Sequence, residues 1–338
     1  QLTKYLNHDP KLISWSANLK QNILRNVSAE FNSAHIMTSL YRPYFKQKIY
    51  FDKLFIERPG QNPKLFPYNK PNLTIVVNGI GSSKEFSALI SKVMPDIQTL
   101  MNGQSFPLYY YEKVENSTPS LFDSESKDEY VRRDGVSDYI LDRAQIQYRD
   151  KNITKEDIFY YVYGLLHSSD YKREFVNDLN KMLPRLPLVE SLDDFWSFSR
   201  AGRQLAELHI NYEDVPEYEG VKVSGTQHNN YHVEKLKFIK KGQRDTILYN
   251  SVIKIENIPD KAYEYVVNGK SAIEWIIERY QITKNKDSGL LNDPNDWAKE
   301  VGNPRYILDL LLSVINVSIQ TVDIVNNLPK LDFSEKDS

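Results

Sequence analysis

The stretch from Thr154 to Glu213 constrains this fold most, because nearly all of it is written in helix. Thr154, with Asp157 three positions on, spells an N-cap and a first-turn acid ahead of Ile158, Phe159, Tyr161, Val162, Leu165 and Leu166. Ser169 restarts the pattern, with Tyr171, Phe175, Leu179 and Met182 at helical spacing until Pro184 stops it. Ser191 to Asp194 caps a third segment, whose Phe195, Trp196, Phe198, Leu205 and Leu208 form another apolar stripe. Three capped, aromatic-rich helices predict a core on which other pieces dock, a scaffold rather than a reaction centre.

On the N-terminal side, Asp9-Pro10 starts a helix that the stripe Leu12, Ile13, Leu19, Ile23 and Leu24 carries to about Arg25. Strand-like runs follow at 36–40, 48–56, 73–77, 86–90 and 106–111, punctuated by proline and glycine, and they predict a small mixed sheet. Residues 112–136 are polar and acidic and read as a linker or loop. A short helix then opens at Ser137 or Asp138 and runs to about Tyr148.

Beyond Glu213, runs 233–239 and 246–249 flank the turn-like 240–245, with further strands at 252–256 and 263–267. The latter ends at Asn268-Gly269, a strong turn signal. Ser271 to Glu274 is a capping box opening a helix to about Tyr280; 283–295 reads as loop, and Asn303-Pro304 starts a helix to about Asn327. This order predicts α+β rather than alternating α/β. It divides into a β-rich lobe with an N-terminal helix (1–111), the linker (112–136), a helical core (137–213), a lobe of β-hairpins and helices (214–330) and a polar tail (331–338).

Composition narrows the chemistry. The chain has no cysteine, which removes disulfides and thiolate metal sites and fits a reducing, cytoplasmic compartment. It opens at Gln1 without a basic-plus-apolar leader, so a piece of a longer, non-secreted polypeptide is expected. The apolar run 307–319, interrupted by Asp309, reads as too short for a membrane span. The 23 tyrosines suit either half-wet surfaces that stack on bases or the edges of a core. A net charge of −2 argues against an indiscriminate polyanion binder, yet charge is segregated. Residues 1–72 hold 11 Lys/Arg against 4 Asp/Glu, and 222–254 hold 7 against 2, so one face could meet phosphate while the rest stays acidic.

No catalytic residue or metal site is predicted. Gly79-Ile-Gly81-Ser82-Ser83-Lys84 follows a strand but lacks the phosphate-loop pattern; it reads as a turn or, at most, a backbone nest for one phosphate. His228 and His232, in a strand, would share a face only at about 13 Å along it. Asp193-Asp194 reads as cap and first turn rather than a carboxylate pair, and no nucleophile elbow occurs. Two segments could touch nucleic acid. Tyr41-Arg42-Pro43-Tyr44-Phe45 with Lys46 and Lys48 sets cations among aromatics, either for phosphate contact or with Arg42 tying a loop together. Lys235, Lys237, Lys240, Lys241 and Arg244 project from one hairpin, either blunting an edge or entering a major groove.

The runs 41–45, 106–109, 153–168, 183–187, 265–270 and 292–297, with Phe195-Trp196, Ala201-Gly202 and Leu208-His209 through Tyr212-Glu213, resemble the C-terminal specificity domain of type ISP restriction–modification enzymes. The resemblance implies a target-recognition domain that grips double-stranded DNA, reads a short asymmetric site and so directs adenine methylation and cleavage by other domains. It implies as partners the methyltransferase and helicase-like domains of the same polypeptide, with no membrane and a monomeric fragment. S-adenosylmethionine, ATP and Mg would belong to the parent and no cofactor to this fragment. The alternative is a module that docks and couples methyltransferase and translocase with little DNA contact. DNA-facing residues are expected around 41–48, 79–84 and 235–244, with Arg or Lys reading guanine and Asn78 or Gln243 reading adenine.

Overall fold

In the computed structural model, which describes residues 15–114, 130–287 and 289–333 together with Leu6 and Asp9, Ser16 caps α1 (Ala17–Leu24) by accepting from the Leu19 amide. The expected start of this helix at Asp9-Pro10 lies largely outside the described residues. β1 (Ile36–Arg42) and β2 (Phe45–Tyr50) form a hairpin turned at Pro43-Tyr44, with Tyr44 at φ 59°. The strand expected over 48–56 therefore lies earlier. A short α2 (Asn62–Leu65) precedes β3 (Thr74–Val77), β4 (Ala88–Ser91), β5 (Met94–Pro95) and β6 (Gln104–Pro107). β5 runs parallel to β1, and β3 sits between β4 and β6, antiparallel to both.

β7 (Tyr109–Lys113) and β8 (Tyr130–Asp134) pair antiparallel, Tyr109 opposite Asp134 and Lys113 opposite Tyr130. Both flanks of the expected acidic linker are thus strand; residues 115–129 lie outside the described residues. The helical stretch follows the caps. α3 (Asp138–Tyr148) starts at Ser137, and α4 (Lys155–His167) carries the reciprocal Thr154–Asp157 box. α5 (Ser169–Glu174) and α6 (Val176–Leu179) divide what the spacing reads as one helix, and α7 (Leu192–Ile210) starts at Ser191.

Next come β9 (Lys222–Ser224), β10 (Lys237–Lys240), β11 (Gln243–Leu248) and β12 (Lys254–Glu256), ordered β10-β11-β12-β9 in one antiparallel sheet. Gly242, at φ 84°, makes the β10–β11 turn, so the connection is tighter than the 240–245 expected. β13 (Val266–Val267) and β14 (Lys270–Ser271) flank Asn268-Gly269, and the Ser271–Glu274 box opens α8 (Ala272–Arg279). Within the expected loop 283–295, β15 (Thr283–Lys284) pairs with β16 (Leu291–Asn292), and α9 (Asn295–Glu300) follows. The last helix, α10 (Tyr306–Asn326), has 21 residues and is long and apolar enough to cross a membrane, more than the 307–319 run alone indicates. Yet 72% of its apolar window is buried inside the fold, as a core helix would be.

β3 and β4 explain how the pieces join. Every residue of both strands is buried, and they alternate between two cores. Ile75, Val77 and Ile90 face the core built by α4 and α7 with Phe195, Phe198 and Leu205. Val76 and Leu89 face the core built by α8, α10 and the four-stranded sheet, with Ile247, Ile255, Ile276 and Leu311. Period-two burial on both faces is what a strand sandwiched between two layers requires. The divisions at 111, 137 and 213 therefore do not separate independent cores.

Candidate nucleic-acid interface

The expected residues fall into three places with different chemistry. In the first, Arg42 donates to its neighbour's Tyr41 carbonyl (2.6 Å) and to Asp96 (3.3 Å), with its guanidinium 3.9 Å from the Tyr41 ring centre. Of the two sequence readings, this is the one that ties a loop. Lys46 donates to Glu213 (2.5 Å) and lies over the Tyr212 ring, while Tyr306 donates to the other Glu213 oxygen (2.6 Å). Lys48 donates to Thr38 and sits 5.5 Å from the Trp297 ring centre. Lys46 and Lys48 line a cavity of about 580 Å³ that also holds Glu213, Asp214, Glu300 and Asp309. Four carboxylates against two ammoniums make a poor phosphate site.

The second place is the glycine loop. Asn78 is buried, donates to Asn268 (3.0 Å) and Ser82 (3.3 Å), and accepts from the Ser87 amide (2.7 Å). Its polar groups are spent on holding the β13–β14 turn, so it presents nothing to a base. The nest does not form either. The amides of Gly79, Gly81 and Ser82 donate to the carbonyls of Met101, Asn180 and Gly79, and that of Lys84 to the Ser82 hydroxyl. Gly79 is required by close approach, since a Cβ there would stand 2.0 Å from the Asn102 carbonyl oxygen. Ser83 donates to the Met101 sulfur, and exposed Lys84 lays its side chain against Gly269.

The third place is the four-stranded sheet. Lys235, Lys237, Lys240, Lys241, Gln243 and Arg244 are all exposed. Arg244 is held by Glu274 (3.1 Å) and lies 5.3 Å from the Tyr263 ring centre. Lys235 and Lys237 line a second cavity of about 430 Å³ with Asn230, His232, Glu234, Leu248, Asn250, Ser251 and Lys254. Sequence reasoning missed Lys254, although Ile253-Lys254-Ile255-Glu256 alternates as an inside–outside strand should. It also missed Asn250, whose amide donates to the carbonyls of Asn230 (2.8 Å) and His232 (3.1 Å) and whose oxygen accepts from the Val252 and Ile253 amides. Residues 226–232 are a 3-10 turn and irregular backbone rather than strand. Among the described residues no group of His, Asp and Glu could hold a metal ion.

Residues 2–310 match the model of the Type ISP C-terminal specificity domain. The fold is similar to that of the ATP-dependent Type ISP restriction–modification enzyme LlaBIII bound to DNA, at 38% identity and TM-score 0.84 over 95% of this chain and 20% of that one. It is also similar to a nuclease-deletion mutant of the Type ISP enzyme LlaGI in complex with a DNA substrate mimic, at 39% identity and TM-score 0.81 over 98% of this chain and 28% of that one. The DrdV–DNA complex matches at 26% identity and TM-score 0.80, over 97% of this chain and 31% of that one. No curated protein matches the chain. The chain thus spans less than a third of each of these structures.

Proposed function

The chain belongs to the Type ISP C-terminal specificity domain family, and from that premise we propose that it recognises a short target sequence in duplex DNA for a larger restriction–modification polypeptide. The recognition would direct adenine methylation and cleavage carried out by other domains, where S-adenosylmethionine, ATP and magnesium are bound. The observation that carries the proposal is the match over nearly the whole chain to parts of enzymes captured with DNA. The exposed, lysine-lined sheet supports it, since phosphate contacts supply most of the affinity of such interfaces. Of the three expected segments, 235–244 is the one whose cations are presented to solvent together.

A domain exchange tests it. This chain replaces the matching part of LlaGI, and methylated positions are mapped on a DNA of mixed sequence. Methylation at a new, single short site is the expected result; methylation that stays at the recipient's own site overturns the proposal. That second outcome belongs to a docking module with little DNA contact of its own, a reading favoured by one observation. The cavity around Lys46 and Lys48 is rich in carboxylates and suits a protein surface better than a polyanion.

A further inference from the structure

The outward face of the four-stranded sheet carries a row in register across all its strands. Ser224 stands opposite Lys254, Lys254 opposite Leu248, and Leu248 opposite Lys237. Residues directly opposite one another in antiparallel strands share a face. The adjacent row, Val223, Ile255, Ile247 and Phe238, packs into the core. Alternation therefore sends Lys237 and Lys254 outward, two strand spacings or roughly 10 Å apart. Lys235, at the isolated bridge to Gln281, brings a third ammonium to the same cavity.

Hydrogen bonds from two asparagines hold the segments around this cavity. Asn295 exchanges two hydrogen bonds with the backbone of Val233, donating to its carbonyl (2.8 Å) and accepting from its amide (2.9 Å). Asn250 stitches the β11–β12 turn to residues 230 and 232. The lysine-bearing segments are thus pinned in place while their side chains stay exposed. Among the described residues, none of the three ammoniums has a carboxylate within ion-pair distance, whereas Lys46, Lys261 and Lys270 each have one and Lys155 has two. Three ammoniums face one lining carboxylate, Glu234, so the cavity keeps an excess of positive charge that repels itself until an anion arrives.

The chemistry of the lining selects the anion. Ammoniums are point charges on flexible stems, which meet phosphate without the planar fork that reads a guanine edge, and no arginine lines the cavity. From strand positions roughly 10 Å apart, flexible lysine stems can reach neighbouring phosphates of one strand of duplex DNA. We infer that Lys235, Lys237 and Lys254 clamp the phosphates of one DNA strand, positioning the duplex without reading its sequence. The inference rests on the DNA reading above and assigns its backbone anchor, leaving base contact to other residues such as Gln243 at the neighbouring turn.

The test is a salt series on the K237Q/K254Q variant, with dissociation constants measured for a selected duplex and for an unrelated one. A clamp predicts that both affinities fall by the same factor, that the slope of log affinity against log salt shrinks by about two, and that the preference between the duplexes is unchanged. An unchanged slope, or a changed preference between the duplexes, overturns it. If the double variant loses the thermal transition of the parent chain, K235Q serves instead, with a slope change of about one. An unmodified chain that binds neither duplex overturns the functional reading itself, an outcome separate from a chain that binds with an unaltered slope in the variant.

Discussion

Gly202 of α7 lies against Gly164 of α4 so closely that a Cβ on Gly202 would stand 1.8 Å from the Tyr160 carbonyl oxygen and 2.9 Å from the Gly164 amide nitrogen. The approach lets Phe195, Phe198 and Leu205 reach the core shared with β3 and β4. Gly202→Ala should gain about 1 kcal/mol of helix propensity. The backbone clash outweighs that, for a net loss of roughly 2 kcal/mol or more. Urea unfolding of the variant measures the difference, and a stabilised variant would show that the helices part without cost.

Two histidines make stability depend on pH. His209 accepts from the Tyr163 hydroxyl at Nδ1 (2.6 Å) and donates from Nε2 to Thr321 (2.9 Å), whose own hydroxyl donates to Val317; this chain of donors assigns the neutral ring. Burial holds His209 well below its ordinary value, with His167 adding repulsion. Burial likewise pushes His167 down to about 3, with Lys172 adding to it. Both folded values lie below the unfolded value of about 6.5, so the unfolded chain takes up protons that the folded chain refuses. Stability is fully present above about pH 6.5 and falls as pH drops, for His167 by about 1.4 kcal/mol per unit toward its folded value of about 3, with His209 acting in the same direction. The unfolding free energy should therefore be lower at pH 5 than at pH 7.5, by about 2 kcal/mol from His167 alone, and equal values would mean the rings are not held neutral.

Lys46 and Glu213 join β2 to the segment after α7, with Tyr306 on the second carboxylate oxygen. Glu213→Gln leaves the mostly covered ammonium without its counter-charge and should cost roughly 2 kcal/mol. Since this pair belongs to a carboxylate-rich cavity, DNA affinity should stay within about twofold. Calorimetry and a binding titration on one preparation separate the two effects, and a large gain in DNA affinity would return this segment to the interface.

Asn295→Ala removes both partners from the buried Val233 backbone and should destabilise by about 2–3 kcal/mol. Proteolysis of the variant should then open residues 226–236 first. Cleavage elsewhere would contradict a wall pinned by Asn295.

Local signals in the sequence were enough for the caps at Thr154, Ser191 and Ser271, each spelled within four residues, and for the turn at Asn268-Gly269. Pairings that depend on distant chain were not legible. β8 meets β7 across residues 115–129, and β9 closes its sheet from 30 positions before β12. The same limit governed the site. Lys46 and Lys237 look alike in sequence, yet Lys46 is neutralised by a carboxylate 167 positions away while Lys237 faces solvent. Asn78 resembled a base reader because its partner Asn268 lies 190 positions on. Lys254 could have been found, since it alternates with two buried isoleucines.

Sequence-specific DNA binding by the 338-residue chain is measured by selection against a randomised duplex pool at two salt concentrations. A recognition domain enriches one short asymmetric sequence, bound at least about a thousandfold more tightly than unrelated duplex and more weakly as salt rises. A pool that stays random at both salts, with the chain folded, would contradict a recognition domain and leave a docking module in its place.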